Sequence, residues 1–337
     1  MKVAVVGATG AVGQLILKTL ERRGFAADEI VPFASERSAG KELPGYGTIQ
    51  PLTDETVVGY DLALFSAGGS TSKAWAPKFA AGGATVVDNS SAFRMDPDVP
   101  LVVSEVNPEA IGDARKGIIA NPNCTTMVAM LPLKALSDRY GLSEMVATSF
   151  QAAGGAGQKG IDELAEQIPV VGKDVDALVH DGASAAALAT PSTFAKTLAF
   201  NVVPLLGSLD DNGYTDEELK LQNESRKILG LPDLKVTPTC VRVPVMVGHA
   251  IAVRATFDQP VDLAEARDLL AAFPNLVVDD VPTPLEAAGR DETFVGRIRL
   301  DLSDPKTLSF FVVGDNLLKG AALNTVQLAE LAVASVA

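Results

Sequence analysis

The chain has 337 residues, 47% of them hydrophobic and 21% charged, enough to bury the cores of about two domains. Its 28 basic and 42 acidic residues leave a net charge of -14, which excludes a general nucleic-acid binder. An anionic substrate must therefore be met by local Arg and Lys. Two cysteines, Cys124 and Cys240, make no disulfide framework and point to a reducing compartment. No apolar run approaches the ~20 residues of a membrane span, and a strand starting at Lys2 leaves no room for a signal peptide. A cytoplasmic protein with no membrane or nucleic-acid partner is expected.

The first element is a buried-strand pattern over Lys2–Val6, followed at once by Gly7-Ala8-Thr9-Gly10-Ala11-Val12-Gly13. Leu15, Ile16, Leu17 and Leu20 then recur at helical spacing until Gly24 stops the run. Strand, glycine turn and helix in that order suit a pyrophosphate resting on a helix N-terminus, although a glycine turn alone is often only a tight turn. A second strand over 30–34 ends in Ser35-Glu36-Arg37-Ser38. Arginine with small donors favours the 2′-phosphate of NADP over the ribose hydroxyls of NAD, with a solvated charged loop as the alternative. Strand runs follow at Leu62–Phe65, Thr85–Asp88 and 101–103. Arg94, near the end of the second run, is either an anion contact or a surface charge.

The apolar run 117–120 ends in Asn121-Pro122-Asn123, and Cys124 follows. Pro122 resists helix at the residue before it, and Asn123 is a good N-cap, so Cys124 belongs in the first turn of a helix. A thiol there ionises more readily and is a nucleophile candidate; a buried structural cysteine is the alternative.

Beyond Cys124, a strand over 146–150 runs into the glycine-rich loop 151–157, which implies close backbone approach to a ligand or a neighbouring strand. Residues 168–213 are irregular and carry no assignment. Thr215-Asp216-Glu217-Glu218 is a capping box opening a helix that stops at Gly230. Glu217 and Lys220 share a face of it, by default as a salt pair. Two β runs over 236–257 carry Arg242, which needs an anion partner if buried, and His249, the better-placed base for Cys124 than His180. Cys240 reads as core. A helix over 262–273, strands at Leu276–Val278, 297–302 and 308–313, and an amphipathic helix over 316–336 complete the chain. No metal-ligand cluster is evident. The expected fold is α/β: a Rossmann-like doubly wound domain, then an α+β domain with a mixed sheet.

Six pieces occur in one order: Gly7-x-x-Gly10-x-x-Gly13, Pro122-Asn123-Cys124-Thr125-Thr126, the 151–157 loop, Glu217-Glu218-Leu219-Lys220, Arg242-Val243-Pro244 with Gly248-His249, and the 314–320 tail. Together they resemble the bacterial aspartate-β-semialdehyde dehydrogenases over essentially the whole chain. The resemblance implies NADPH-dependent reduction of L-aspartyl-β-phosphate to the semialdehyde, with release of phosphate, through a Cys124 thioester. It belongs to the pathway of lysine, methionine, threonine and diaminopimelate. His249 matches the acid/base residue and Gln151 the glutamine that orients the substrate. Arg242 matches the carboxylate clamp and Glu217 the ammonium contact. Lys220, Arg94 and Asn123 match the phosphate contacts, which replaces the salt-pair reading of Glu217 and Lys220. Gly7, Thr9, Gly10, Ala11 and Val12 match the pyrophosphate turn, Ser35, Arg37 and Ser38 the 2′-phosphate site, Gly154 and Gly155 further cofactor contacts, and Asn316 a residue near the nicotinamide. Relatives commonly have serine where Gly154 stands. The implied NADP-binding domain is 1–123 with 315–337, the C-terminal helix returning to it; the catalytic and dimerisation domain is 124–314, in a homodimer. Two rivals are an N-acetyl-γ-glutamyl-phosphate reductase, which has no use for a carboxylate at Glu217, and a non-catalytic NADP-binding redox sensor switched at Cys124. A glyceraldehyde-3-phosphate dehydrogenase-like enzyme fits the 242–249 segment poorly.

Overall fold

The computed structural model describes residues 1–334; the last three residues of the expected C-terminal segment lie outside the described residues. The chain divides into two compact units. The first comprises Met1–Met130, Asn223–Pro232 and the segment from Leu317 on; the second comprises Leu131–Gln222 and Asp233–Asn316.

In the first unit, β1 (Lys2–Val6), β2 (Glu29–Phe33), β3 (Leu62–Phe65), β4 (Thr85–Asp88) and β5 (Ile118–Ala120) form a parallel sheet in the order β2-β1-β3-β4-β5. Val3 to Val6 and Leu62 to Phe65 are buried, as expected for strands covered on both faces. Helix α1 (Ala11–Arg22) packs Ile16, Leu17 and Leu20 onto the sheet, and Gly24 ends the turn beyond it at φ +61°. Helix α2 (Gly69–Ala81) seats Phe79 edge-on to Phe33 and Phe65 with centroids 5.7 and 5.4 Å apart. Truncating so buried a ring costs about 3–5 kcal/mol. Residues 101–103 are not a strand: Leu101 makes a single bridge to Ala120 before the chain turns into Asn107, whose side chain takes the Val103 amide and donates to the Leu101 carbonyl.

Helix α3 (Cys124–Tyr140) follows β5. In the second unit, β6 (Leu142–Gln151), β7 (Lys235–Arg242), β8 (His249–Phe257), β9 (Leu276–Val278), β10 (Thr293–Leu300) and β11 (Thr307–Gly314) form a mixed sheet in the order β9-β10-β11-β8-β6-β7. β6 and β7 run parallel and pair Gln151 with Arg242, while β8 runs antiparallel to β6 and pairs Ala250 with Phe150. This register brings Gln151, Arg242 and His249 to one end of the sheet, although they are far apart in sequence.

The stretch left unassigned, 168–213, has its own anchors. Helix α4 (Gln158–Val171) supplies Glu163, which accepts from Ser192 and Thr193, and Gln167, which accepts the amides of Leu198 and Ala199. Leu164, Val171, Ala185, Leu198 and Val203 form a small core beneath it. Helix α5 (Asp216–Leu229) begins with the expected reciprocal capping box: Glu218 takes the Thr215 amide and Thr215 Oγ1 takes the Glu218 amide. Helix α6 (Leu263–Ala272) is capped by Asp262.

The C-terminal segment differs from the expected amphipathic helix. A π-helical turn over Leu318–Ala322 precedes α7 (Leu323–Ala334). Leu323, Val326, Leu328, Ala329 and Ala332 are buried in the first unit's core together with the polar Asn324 and Thr325. The helix is enclosed on most sides, and its polar residues face internal hydrogen-bond partners instead of solvent. Lys319 is one case: its ammonium, fully buried, meets Glu105 at 2.5 Å and Gln327 at 2.8 Å. Among the described residues, no helix is long and apolar enough to cross a membrane.

Candidate active site

The glycine turn between β1 and α1 is shaped by contacts that exclude side chains. Gly7 has φ +88°, and a Cβ there would lie 2.3 Å from the Ser66 carbonyl oxygen; one on Gly13 would lie 2.0 Å from that of Gly7. The amides of Gly7 and Ala8 both donate to Phe33 O, tying the turn to the end of β2. Gly10 is the N-cap of α1 and offers no side-chain cap, so no capping group covers the first-turn amides beside Ala11 and Val12. Thr9 and Gly10 are exposed. The arrangement fits a dinucleotide pyrophosphate. At the end of β2, the Ser38 amide donates to Ser35 O, and Arg37 is exposed on that turn.

On the same unit, β5 ends at Ala120 and α3 begins at Cys124. Asn123 is the N-cap as expected: its Oδ1 accepts the amides of Thr125 at 2.9 Å and Thr126 at 3.4 Å. The Cys124 thiol is half-buried at the helix start and in no disulfide. Arg94 is buried, and each of its guanidinium nitrogens meets a protein oxygen. Nε donates to Asn121 O at 3.0 Å, Nη2 to Asn89 O at 2.7 Å, and Nη1 to Glu224 Oε1 at 3.0 Å. Arg94 is thus no surface charge. A second N–H on each terminal nitrogen remains for a further acceptor.

The second unit gathers the remaining groups at the sheet end. Gln151 is buried and donates to Ser149 Oγ at 3.1 Å. His249 is fully buried; the Ala152 amide donates to its Nδ1 at 3.0 Å and fixes the ring. Burial first, and the Arg242 charge second, hold the imidazole well below its ordinary pKa, so it is neutral at neutral pH. Arg242 Nη1 donates to Ala152 O at 2.6 Å, and its guanidinium lies over the Phe194 ring at 5.7 Å. The partial burial of Arg242 is thus met by a carbonyl and an aromatic face. Gly155 sits against both: a Cβ there would lie 2.7 Å from Arg242 Nη1 and 3.2 Å from His249 Nε2. Beyond β11, Asn316 Oδ1 accepts the Gly248 amide at 2.8 Å, while its Nδ2 is buried with no hydrogen-bond partner. An orphaned buried amide suits a ligand carbonyl. Gly154 is buried and its amide donates to Met246 O.

Glu217 and Lys220 lie 3.2 Å apart on α5, as an i,i+3 ion pair with Glu217 mostly covered. Cys240 is buried, and burial pushes its thiol up to about 12. Among the described residues no cluster of three or more His, Cys, Asp or Glu could hold a metal. The sequence reading missed Glu224 and Lys227. Glu224 pairs with Arg94; Lys227 donates to the carbonyls of Arg94, Asp96 and Val99 at 2.7 to 2.8 Å. The spacing puts 217, 220, 224 and 227 on one helix face, but it does not tell a buried, paired side chain from a solvated one.

A parallel nucleotide-binding sheet with a glycine turn, joined to a mixed-sheet unit carrying ionisable side chains at one end, defines a two-domain α/β oxidoreductase that binds a nicotinamide cofactor. Residues 2–114 match the semialdehyde dehydrogenase NAD binding domain, and residues 133–319 match the semialdehyde dehydrogenase dimerisation domain. The aspartate-semialdehyde dehydrogenase of Corynebacterium glutamicum is 53% identical over 98% of this chain and 99% of its own length. That of Aquifex aeolicus is 47% identical over 98% of each. The crystal structure of aspartate semialdehyde dehydrogenase II from Vibrio cholerae complexed with ASA superposes with a TM-score of 0.91 at 42% identity, covering 99% of this chain and 98% of that one. The enzyme from Candida albicans, described with NADP, gives a TM-score of 0.73 at 25% identity over 98% of this chain and 97% of that one. The chain belongs to the aspartate-semialdehyde dehydrogenase family.

Proposed function

We propose that the chain catalyses the reversible, NADPH-dependent reduction of L-aspartyl-β-phosphate to L-aspartate-β-semialdehyde and phosphate, through a thioester on Cys124. The observation that carries the reading is a half-buried thiol on the first residue of a helix whose N-cap and preceding turn are held by buried hydrogen bonds. Cys124 Sγ attacks the acyl carbonyl, the acyl–oxygen bond breaks, and phosphate leaves with that electron pair. NADPH, when bound, supplies the hydride that reduces the thioester carbonyl. His249 takes the thiol proton as Cys124 attacks, gives it to the substrate oxygen once the thioester carbonyl is reduced, and returns it to the Cys124 sulfur as the adduct collapses to aldehyde and thiol. A neutral ring can take that proton, and its depressed pKa makes it give the proton back readily.

Gln151, fixed through Ser149, orients the acyl group. Arg242 clamps the α-carboxylate, and its fork already engages one acceptor at Ala152. Glu217 takes the α-ammonium, and Lys220 with Arg94 and Asn123 takes the phosphate; the ion pair between Glu217 and Lys220 then opens to a zwitterionic acyl phosphate. The α-ammonium contact favours this substrate over an N-acylated glutamyl phosphate. Gly7, Thr9, Gly10, Ala11 and Val12 hold the pyrophosphate, Ser35, Arg37 and Ser38 the 2′-phosphate, Gly154 and Asn316 the nicotinamide half. The protein works as a homodimer, in keeping with the matched dimerisation domain.

The test is NADP reduction by L-aspartate-β-semialdehyde, with and without phosphate, on wild type and Cys124→Ala. Phosphate-dependent turnover that disappears in the variant is expected. Turnover with an N-acetylated glutamate semialdehyde would instead favour the rival reductase. NADP binding without turnover on either would refute the enzyme reading.

A further inference from the structure

Within the first unit, one buried ion pair holds the turn that precedes Cys124 from both sides. Glu224 Oε1 accepts from Arg94 Nη1 at 3.0 Å, and its Oε2 accepts the Asn123 amide at 2.7 Å. Arg94 Nε closes the ring by donating to Asn121 O at 3.0 Å. Glu224 is 1% exposed and Arg94 7%. A buried ion pair gives little net stability against an apolar replacement, so its retention needs another reason. Here the reason is geometric. Both carboxylate oxygens are used, one on a guanidinium and one on the backbone of the N-cap, and no neutral side chain of the same shape can accept at both. Asn123 in turn orders the first amides of α3 at Thr125 and Thr126. One turn beyond Glu224, Lys227 clamps the backbone carrying Arg94 through three carbonyls.

We propose that Glu224 is a positioning residue of the reaction: it sets the Asn123 amide, and with it the helix start that carries the Cys124 thiol, and it aims the Arg94 guanidinium. The proposal rests on the reading of Cys124 as nucleophile and Arg94 as phosphate contact. In Glu224→Gln the amide nitrogen must face either the guanidinium or the Asn123 N–H, donor against donor, so one side of the ring opens. Glu224→Asp keeps the charge but is one methylene too short to span both partners.

The experiment compares wild type, Glu224→Gln, Glu224→Asp and Cys124→Ala by three readouts, the kinetic and alkylation ones taken well below the variant's own Tm. These are kcat and the phosphate KM, thermal stability, and the rate of Cys124 alkylation by iodoacetamide against pH. Glu224→Gln is expected to lose about tenfold or more in kcat and to raise the phosphate KM. Its alkylation midpoint should move up by about half a pH unit, because the ordered amides that favour the thiolate loosen. Glu224→Asp, which retains the charge, recovers part of each loss. A lower Tm with kcat, phosphate KM and the alkylation profile unchanged would make Glu224 merely structural and overturn the proposal. So would a fall in the midpoint with kcat preserved, since a lone charge would then explain the residue. If Glu224→Gln does not fold, Glu224→Asp must show the same changes in smaller degree, and wild-type behaviour there refutes the proposal. Phosphate-dependent turnover surviving in Cys124→Ala would sink the thioester reading instead, and the alkylation profiles, which need no turnover, would still report on Glu224.

Discussion

Gly155→Ala tests the proposed substrate contacts of Arg242 and His249 with one methyl group. Gly155 carries no left-handed backbone angle, so alanine adds no backbone strain there. Its Cβ would stand 2.7 Å from Arg242 Nη1 and 3.1 Å from His249 Cε1. The first distance is about 0.8 Å inside ordinary contact of about 3.5 Å. His249 is locked in a strand and cannot retreat, so Arg242 must swing away, and its 2.6 Å bond to Ala152 O is lost. A hydrogen bond from a charged donor is worth about 1.5–3 kcal/mol, which corresponds to about 10- to 100-fold in kcat/KM if the same displacement misplaces the carboxylate clamp. Stability should suffer less. Crowding costs about 1–3 kcal/mol, and the lost freedom of the unfolded chain returns about 0.4–1 kcal/mol. The assay is phosphate-dependent NADP reduction over a range of semialdehyde concentrations, beside thermal melts of both proteins. The loss should fall mainly on KM for the semialdehyde, leaving KM for NADP within about twofold. A kcat/KM within about twofold of wild type would refute the placement of Arg242 and His249 around the substrate.

Other substitutions probe separate parts of the structure. Because burial holds the Cys240 thiol at about 12, the native chain should take one equivalent of a thiol label and Cys124→Ala none; a label found on Cys240 by peptide mapping would contradict its burial. His249 imposes a pH slope on stability. Above its ordinary value of 6.5 the ring is neutral folded or unfolded; below it only the unfolded chain takes up the proton, so stability falls with pH toward the depressed folded value. The slope contributes up to about 1.4 kcal/mol per pH unit, and urea unfolding of His249→Asn at neutral pH and at about pH 5.5 should show it removed. Gly13→Ala would drive a Cβ to 2.0 Å from the Gly7 carbonyl, rigid backbone on both sides, so NADP binding measured by fluorescence titration should be lost together with about 2 kcal/mol or more of stability. Arg37→Ala should weaken NADP about tenfold or more while leaving NAD nearly untouched; equal losses for both would remove Arg37 from the 2′-phosphate site.

What the sequence made legible is local. Asn123, the Thr215–Glu218 pair and Asp262 were readable as caps because a cap depends on residues two or three positions away, and each makes those bonds. Gly24 and Gly230 were readable as stops because each takes a left-handed angle that other residues resist. The misreadings needed distant partners to resolve. Residues 101–103 have strand composition, yet only Leu101 finds a bridging neighbour, because Asn107 bends the chain back onto Val103. The last helix reads as amphipathic because an amphipathic pattern implies that its polar residues face solvent. Asn324 instead donates to Val102 O and Asn121 Oδ1, and Thr325 donates to Asn89 Oδ1.

The same distinction runs through the candidate site. Cys124, Arg242 and His249 stood out because each is chemically unusual where it sits: a thiol after a Pro-Asn turn, an arginine and a histidine in apolar strands. Their setting was not legible, because it is decided by register. One residue of slip between β6 and β7 would put Gln151 opposite a neighbour of Arg242 and turn one of the two side chains to the other face of the sheet. Glu224 was hidden for the opposite reason. A glutamate in a charged helix looks like any solvated Glu, and only Arg94, 130 positions away in the chain, gives it a role. Composition marks chemically unusual residues; the residues that hydrogen-bond around them have ordinary composition and are found through their partners.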